Sequence, residues 1–276
     1  MKVIKKYNKV FTSYVIGRFS KKVGDKYQYF PIDSWQRDIT LAKKFGFNGI
    51  EWIISDYSNP IFNNFFLSQI KKELKNKHIK ISSIALDLIM DEPLHKINQF
   101  NLHWLIEKIK LVQSKIKINR INIPIEERAR FRNKSEKKIA IKRLNYILRK
   151  LGKNSKISIE TDINPRKLKD FFKSKYITNL GLLLDIGNTR ANGYRIEDYF
   201  NFFRNKIYGF HIKYRSKNHG NSKVIPLKFK ELNIIKENIK SLKNLQDITF
   251  QTYRSHDNFI LDMKNSIQNY NRIISE

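Results

Sequence analysis

Residues 180–188 read LGLLLDIGN, an unbroken apolar run that ends in a carboxylate, Asp185. A run without polar alternation predicts a strand covered on both faces, as a parallel strand beneath helices is. Burying a carboxylate is costly, so Asp185 is expected where the strand leaves the core and meets a partner charge. The same pattern recurs: ISIE ends at Glu160, YGFHIK carries His211 and DITFQ ends at Gln251. Four apolar strands, each delivering a metal-capable or proton-capable side chain at its exit end, predict one shared site.

The rest of the chain alternates between the two periodicities. YVIG (14–17) reads as a first strand, and SWQRDITLAKKFG (34–46) as a helix closed by Gly46. Strand NGIEWIIS (48–55) precedes the amphipathic stretch 59–77. Strand IKISSIALDLIM (79–90) precedes a helix over 101–115. INRINIP (118–124) is a fourth strand, followed by a helix over 135–153 with Ser135 as its N-cap and an end near Gly152. After ISIE, Pro165 suits the first turn of a helix over 165–175. LGLLLD, IYGFHIK (207–213) and DITFQTY (247–253) are the last three strands, with helices over 196–206, 225–242 and 259–275. Eight strand-helix alternations without a break in composition predict an α/β fold, a (β/α)8 TIM barrel forming a single domain over 1–276. In such a barrel the site lies at the C-terminal ends of the strands, where the four opening residues fall.

Composition narrows this picture. The 276 residues suit one barrel, and 41% hydrophobic residues with 13% aromatics supply an ample core. The absence of cysteine excludes disulfides, thiolate metal sites and cysteine nucleophiles, and agrees with a cytoplasmic protein. No apolar stretch approaches about 18 residues, so no membrane span is expected. A net charge of +30 allows nucleic acid, an anionic membrane or a phosphorylated substrate as partner. The lysines are spread along predicted helices, as a Lys-, Asn- and Ile-rich coding bias would give, but the shortage of Asp and Glu keeps an anionic partner open. A homo-oligomer is also left open.

If the last inward position of each strand faces the barrel mouth, Glu160, Asp185, His211 and Gln251 converge as two carboxylates, an imidazole and an amide oxygen. Mn, Mg, Co or Zn accepts such nitrogen and oxygen donors. Taken singly, a strand-end acid is more commonly a helix cap and a lone His a satisfied core residue. Their joint placement carries the argument.

The order of these motifs, a strand ending in Glu160, then LLDIGN, HIK, PL and QTYR, resembles the xylose-isomerase-like TIM-barrel family of sugar phosphate isomerases and epimerases. The specific motifs lie between Ile157 and Arg254, and IEW around Glu51 is also similar to the family. The resemblance implies a divalent metal held by Glu160, Asp185, His211 and Gln251. Such a metal binds a sugar's carbonyl and neighbouring hydroxyl and stabilises an ene-diolate while a proton moves between adjacent carbons. Glu160 would be both ligand and proton-transfer base.

The sequence departs from the family pattern at several points. Gln251 stands where a second Glu is common, and an amide can offer oxygen to a metal but cannot be a base. A branch of the family has Gln there followed by an Arg, as Gln251 and Arg254 are here. HIKD has become HIKY with Tyr214, and the PLG turn has become PLKF at 226–229. Lys213 could act as an electrophile or hold a phosphate, and Arg215 and Arg254 could grip a phosphate or carboxylate. Asn188 could donate a hydrogen bond to substrate. Glu51 could bind a sugar hydroxyl or pair with a buried cation, the family placement favouring the first. His219 and His256 are expected on mouth loops, and His78, His95 and His103 on the surface. Trp52 and the aromatics of FNNFF and YFNFF are read as core. The leading expectation is a metal-dependent sugar or sugar phosphate isomerase or epimerase. Two rivals stand beside it: a catalytically lapsed barrel that binds an anionic sugar or a protein, and a metal-dependent abasic-site endonuclease-like enzyme suited to the charge.

Overall fold

The computed structural model describes residues 10–21, 28–216, 223–252 and 258–275. Eight parallel strands hydrogen-bond in sequence order and close, β1 pairing with β8, into a (β/α)8 barrel. The strands are β1 (Phe11–Val15), β2 (Gly49–Ile53), β3 (Lys80–Ala85), β4 (Arg120–Ile125), β5 (Lys156–Thr161), β6 (Leu180–Asp185), β7 (Ile207–Ile212) and β8 (Asp247–Phe250). The helices around them are α1 (Trp35–Phe45), α2 (Asn64–Lys77), α3 (Gln99–Lys115), α4 (Lys134–Leu151) and α5 (Pro165–Phe172), then α6 (Ile186–Ala191), α7 (Ile196–Phe203), α8 (Lys230–Asn238) and α9 (Phe259–Ser275). No helix among the described residues is long and apolar enough to cross a membrane.

The strand side chains divide the core in two. Ile50, Trp52, Ile121, Ile123, Ile157, Ile159, Leu182, Leu184, Phe210 and Ile212 are buried in the apolar cluster. The alternate positions, among them Glu51, Ser83, Arg120, Asn122, Ser158, Glu160, Asp185, His211, Asp247 and Thr249, are buried polar residues. A side-chain period of two separates these sets, so the lumen of this barrel is polar where branched aliphatic residues are the usual filling.

Local differences from the sequence reading have local causes. The third strand stops at Ala85, and Asp87–Met90 turn into a 3-10 helix, because an all-apolar run does not announce its own end. A short 3-10 turn at Pro60–Phe62 precedes α2. The N-cap of α4 is Asn133, not Ser135, with its side chain accepting from Glu136 N at 2.9 Å. Gly46 does close α1 in the left-handed region at φ 83°. Phe65 and Phe66 of FNNFF lie on the solvent side, 67% and 39% exposed, while Phe62, Tyr199, Phe200 and Phe203 are core.

Candidate metal centre

At the C-terminal ends of β5, β6 and β7, one ligand atom each from Glu160, Asp185 and His211 lies within 4.8 Å of the others, and all three residues are buried. The register puts Asp185 directly beside His211 and Glu160 beside Leu183, so neighbouring strands deliver the three side chains at nearly one level. His211 Nδ1 lies 3.0 Å from Glu160 Oε1 and 3.8 Å from Asp185 Oδ2. Asn122 Nδ2 donates to the other oxygen of Glu160 at 3.0 Å.

Asp185 divides its two oxygens between two tasks. Oδ1 accepts from Asn188 N at 2.8 Å and caps α6, the helix that starts at the next residue. Oδ2 is buried and has no hydrogen bond of good geometry among the described residues. Its close neighbour is Lys213 Nζ at 2.5 Å, which also donates to Gln251 Oε1 at 2.6 Å. The amide of Gln251 is oriented by its other end, where Nε2 donates to Gln28 Oε1 at 3.2 Å.

Glu51 lies below this level, on β2 and 0% exposed. Oε1 faces His211 Nε2 at 2.8 Å, while Oε2 accepts from Ser83 at 2.8 Å and from Arg120 at 3.1 Å. Both oxygens are engaged by protein groups. Of the two roles open to it from the sequence, pairing with a buried cation is the one these contacts make. Burial opposes its charge, but His211, Arg120 and Ser83 outweigh that and bring its pKa down to about 2. Burial likewise disfavours a charged His211, but the charges of Glu160 and Glu51 prevail and hold the imidazole well above its ordinary value. Asp185 is pushed the other way: Lys213 and His211 overcome burial and lower it.

Asn188 and Arg215 come together at the rim. Arg215 donates to Asn188 Oδ1 at 2.5 Å, and Asn188 Nδ2 donates to Glu126 Oε2 at 2.9 Å. Arg254, His219 and His256 lie outside the described residues. His78 and His103 are exposed, whereas the side chain of His95 is nearly buried beside Glu136. Tyr214 packs edge-on against Phe229, with the guanidinium of Arg190 5.2 Å from its ring.

The sequence reading missed four polar residues of the site. Glu126 follows β4, and burial beside the charges of Glu160 and Asp185 raises it well above the carboxylate range. Asp87 follows β3, accepts from Gln28 and is pushed up to about 7 by burial and by the charges of Glu160 and Glu51. Asn122 and Arg120 are the others. A strand-end search could have found Asp87 and Glu126 had the ends of β3 and β4 been placed correctly. No comparable signal marks Arg120, a cation at the start of a strand.

The donor set suits a divalent ion: two carboxylates and an imidazole with ligand atoms within 4.8 Å of one another, and no thiolate. The fourth expected donor, Gln251 Oε1, accepts from Lys213, the lysine that also meets Asp185 Oδ2.

These features define a (β/α)8 barrel with a polar lumen and a carboxylate-imidazole cluster at its mouth. Its fold matches that of a xylose isomerase-like TIM barrel protein from Mycobacterium smegmatis in complex with magnesium, at 15% identity and a TM-score of 0.69 over 97% of this chain and 98% of that one. It also matches D-psicose 3-epimerase with D-tagatose from Clostridium cellulolyticum H10, at 12% identity and a TM-score of 0.68 over 96% of each chain. A third match is the probable 3-DHS dehydratase AsbF of Bacillus anthracis, at 15% identity and a TM-score of 0.68 over 94% of this chain and 98% of that one. No protein-family model and no curated protein sequence matches the chain. The resemblance first read from LLDIGN and HIK thus holds at the level of the fold.

Proposed function

We propose that this protein is a divalent-metal-dependent sugar or sugar phosphate isomerase or epimerase. The observation that carries the proposal is the buried cluster of Glu160, Asp185 and His211, with ligand atoms within 4.8 Å of one another at the barrel mouth. Charge balance supports it. Asp247, Glu51, Glu160 and Asp185 bring four carboxylates to the lumen and mouth, and Arg120 and Lys213 bring two fixed cations. The imidazolium of His211 is a third cation and leaves one net negative charge among these groups; a divalent ion that displaces its proton would bring that sum to zero.

Glu160, Asp185 and His211 would hold the ion, with Gln251 Oε1 as the fourth donor once Lys213 gives way. The bound ion supplies a Lewis acid that polarises a sugar carbonyl. Glu160 would take the proton from the carbon next to the carbonyl and deliver it to the former carbonyl carbon while a proton passes between the two oxygens, with Asn122 fixing the second oxygen of Glu160. Lys213, released from Asp185, would be free to bond a substrate oxygen, and Asn188 and Arg215, joined at the rim, would bind the distal end of the sugar or its phosphate. Gln251 carries no proton in place of a second Glu. It favours isomerisation with one carboxylate over epimerisation that needs a carrier on each face.

Metal analysis of chelator-free protein tests this. About one divalent ion per chain is expected, lost in Glu160→Ala and in His211→Ala; a protein that binds none sinks the metal reading.

A second reading, a lapsed barrel that holds an anionic sugar without turning it over, draws on Lys213 already bridging Asp185 and Gln251. Solvent deuterium appearing at carbon in a panel of ketoses and sugar phosphates would exclude it. The endonuclease-like reading has less support. His211 is the one histidine in a ligand cluster among the described residues, and a multinuclear zinc site needs more.

A further inference from the structure

The floor of the barrel carries a second charged assembly, and the reading just given leaves it without a task. Arg120, at the start of β4, forks onto Asp247 of β8 through Nε at 2.7 Å and a terminal nitrogen at 2.8 Å. The same terminal nitrogen also reaches Glu51 at 3.1 Å, and the remaining one reaches Ser158 at 3.0 Å. Arg120, Asp247, Glu51 and Ser158 are all 0% exposed. We infer that Arg120 and Asp247 are positioning residues for His211, acting through Glu51. The inference rests on the metal-dependent reading above.

The path has one step per contact. An imidazole can present Nδ1 to a cation held by Glu160 and Asp185 only if the ring is kept from turning about its bond to the backbone. A hydrogen bond at the far nitrogen does this, and a metal-bound histidine almost always has one. Here Glu51 Oε1 accepts that bond from Nε2 at 2.8 Å. Glu51 in turn is aimed by Ser83 and Arg120 on its second oxygen. The guanidinium is planar, so two bonds to Asp247 fix its plane as well as its place.

Gly209 is a separate observation for the same design. It lies on β7 two residues before His211 and therefore on the same face of the strand. A Cβ there would lie 2.8 Å from Arg120 Nε and 3.0 Å from the guanidinium carbon. The glycine leaves the room that the guanidinium fills beneath the imidazole. Stability alone does not account for such an assembly. Well-packed apolar residues in place of a buried ion pair are commonly as stable or more so, and branched aliphatics are the usual filling of a barrel.

Cobalt(II) serves as the probe, because its absorption reports ligand geometry apart from any catalysis. Chelator-treated wild type, Glu51→Gln, Asp247→Asn, Arg120→Lys and Gly209→Ala are titrated with cobalt, and folding is checked by thermal denaturation. Each folded variant is expected to bind cobalt about 10- to 100-fold more weakly with an altered visible spectrum. Glu51→Gln combined with Gly209→Ala is expected to cost no more than Glu51→Gln alone, as groups on one path do. Folded variants with wild-type affinity and spectrum, or additive losses, overturn the inference while leaving the metal reading intact. A wild type that binds no cobalt overturns both. Nitrogen-15 NMR of the zinc-loaded wild type gives an answer even if every variant misfolds. The inference requires zinc on Nδ1 of His211 and a proton on Nε2, and zinc on Nε2 would end it.

Discussion

Single carboxylates in this site divide their two oxygens between different partners. Asp185 is the clearest case: one oxygen caps α6, and the other faces Lys213 and the imidazole. From sequence, a helix cap and a metal ligand are rival readings of a strand-end Asp. The structure gives one oxygen to the cap and leaves the other at the cluster. Asp87 makes a test at the same scale. Burial and the charges of Glu160 and Glu51 raise it from 3.8 to about 7, against weaker lowering by Gln28 and Arg18. The folded state therefore holds this proton more tightly than the unfolded chain. Stability falls as pH rises from about 4 through 7 and stays reduced above that. Asp87→Asn, which cannot ionise, should raise stability over wild type at pH 8 and do so much less at pH 4.5. Urea denaturation at the two pH values measures this, and an equal gain at both would contradict it.

Elements are set by their ends as much as by their periodicity. Gly46 takes φ 83° at the close of α1, and its N–H turns back to Ala42 and Lys43. An L side chain there enters the left-handed region at a cost of about 1 kcal/mol. Gly46→Ala should lower unfolding free energy by about that amount without changing metal affinity, as read by urea denaturation and a cobalt titration. Sequence patterns found this cap, and all eight strands, because apolar runs and glycine follow from local sterics. They missed the stop of β3 at Ala85, since Leu86, Leu88 and Ile89 continue the apolar run into a 3-10 helix. That one boundary hid Asp87.

The whole molecule carries a net charge of +30, against which the lumen concentrates carboxylates. Like charges spread over one compact body repel, and salt with a Debye length of about 10 Å at 0.1 M screens them. The melting temperature should therefore rise between 0.02 and about 0.3 M sodium chloride. A fall would mean that attractive surface pairs outweigh the repulsion. Exposed pairs such as Arg128 with Asp91 and Lys173 with Asp170 contribute little to set against it.

The sequence by itself determined the barrel and the strand-end residues Glu160, Asp185, His211 and Gln251, because strand period and buried parallel strands leave a signature in local order. Partnership across the lumen was decided only by the tertiary structure. Closure of β1 onto β8 and the register of neighbouring strands bring Asp247, Arg120, Glu51 and His211 into one chain of contacts from residues as far apart as 51 and 247. No periodicity records such a contact, since it depends on which strands end up facing one another across a closed sheet. For the same reason Glu51 is legible as a carboxylate on a strand, but its engagement with His211 and Arg120 is not.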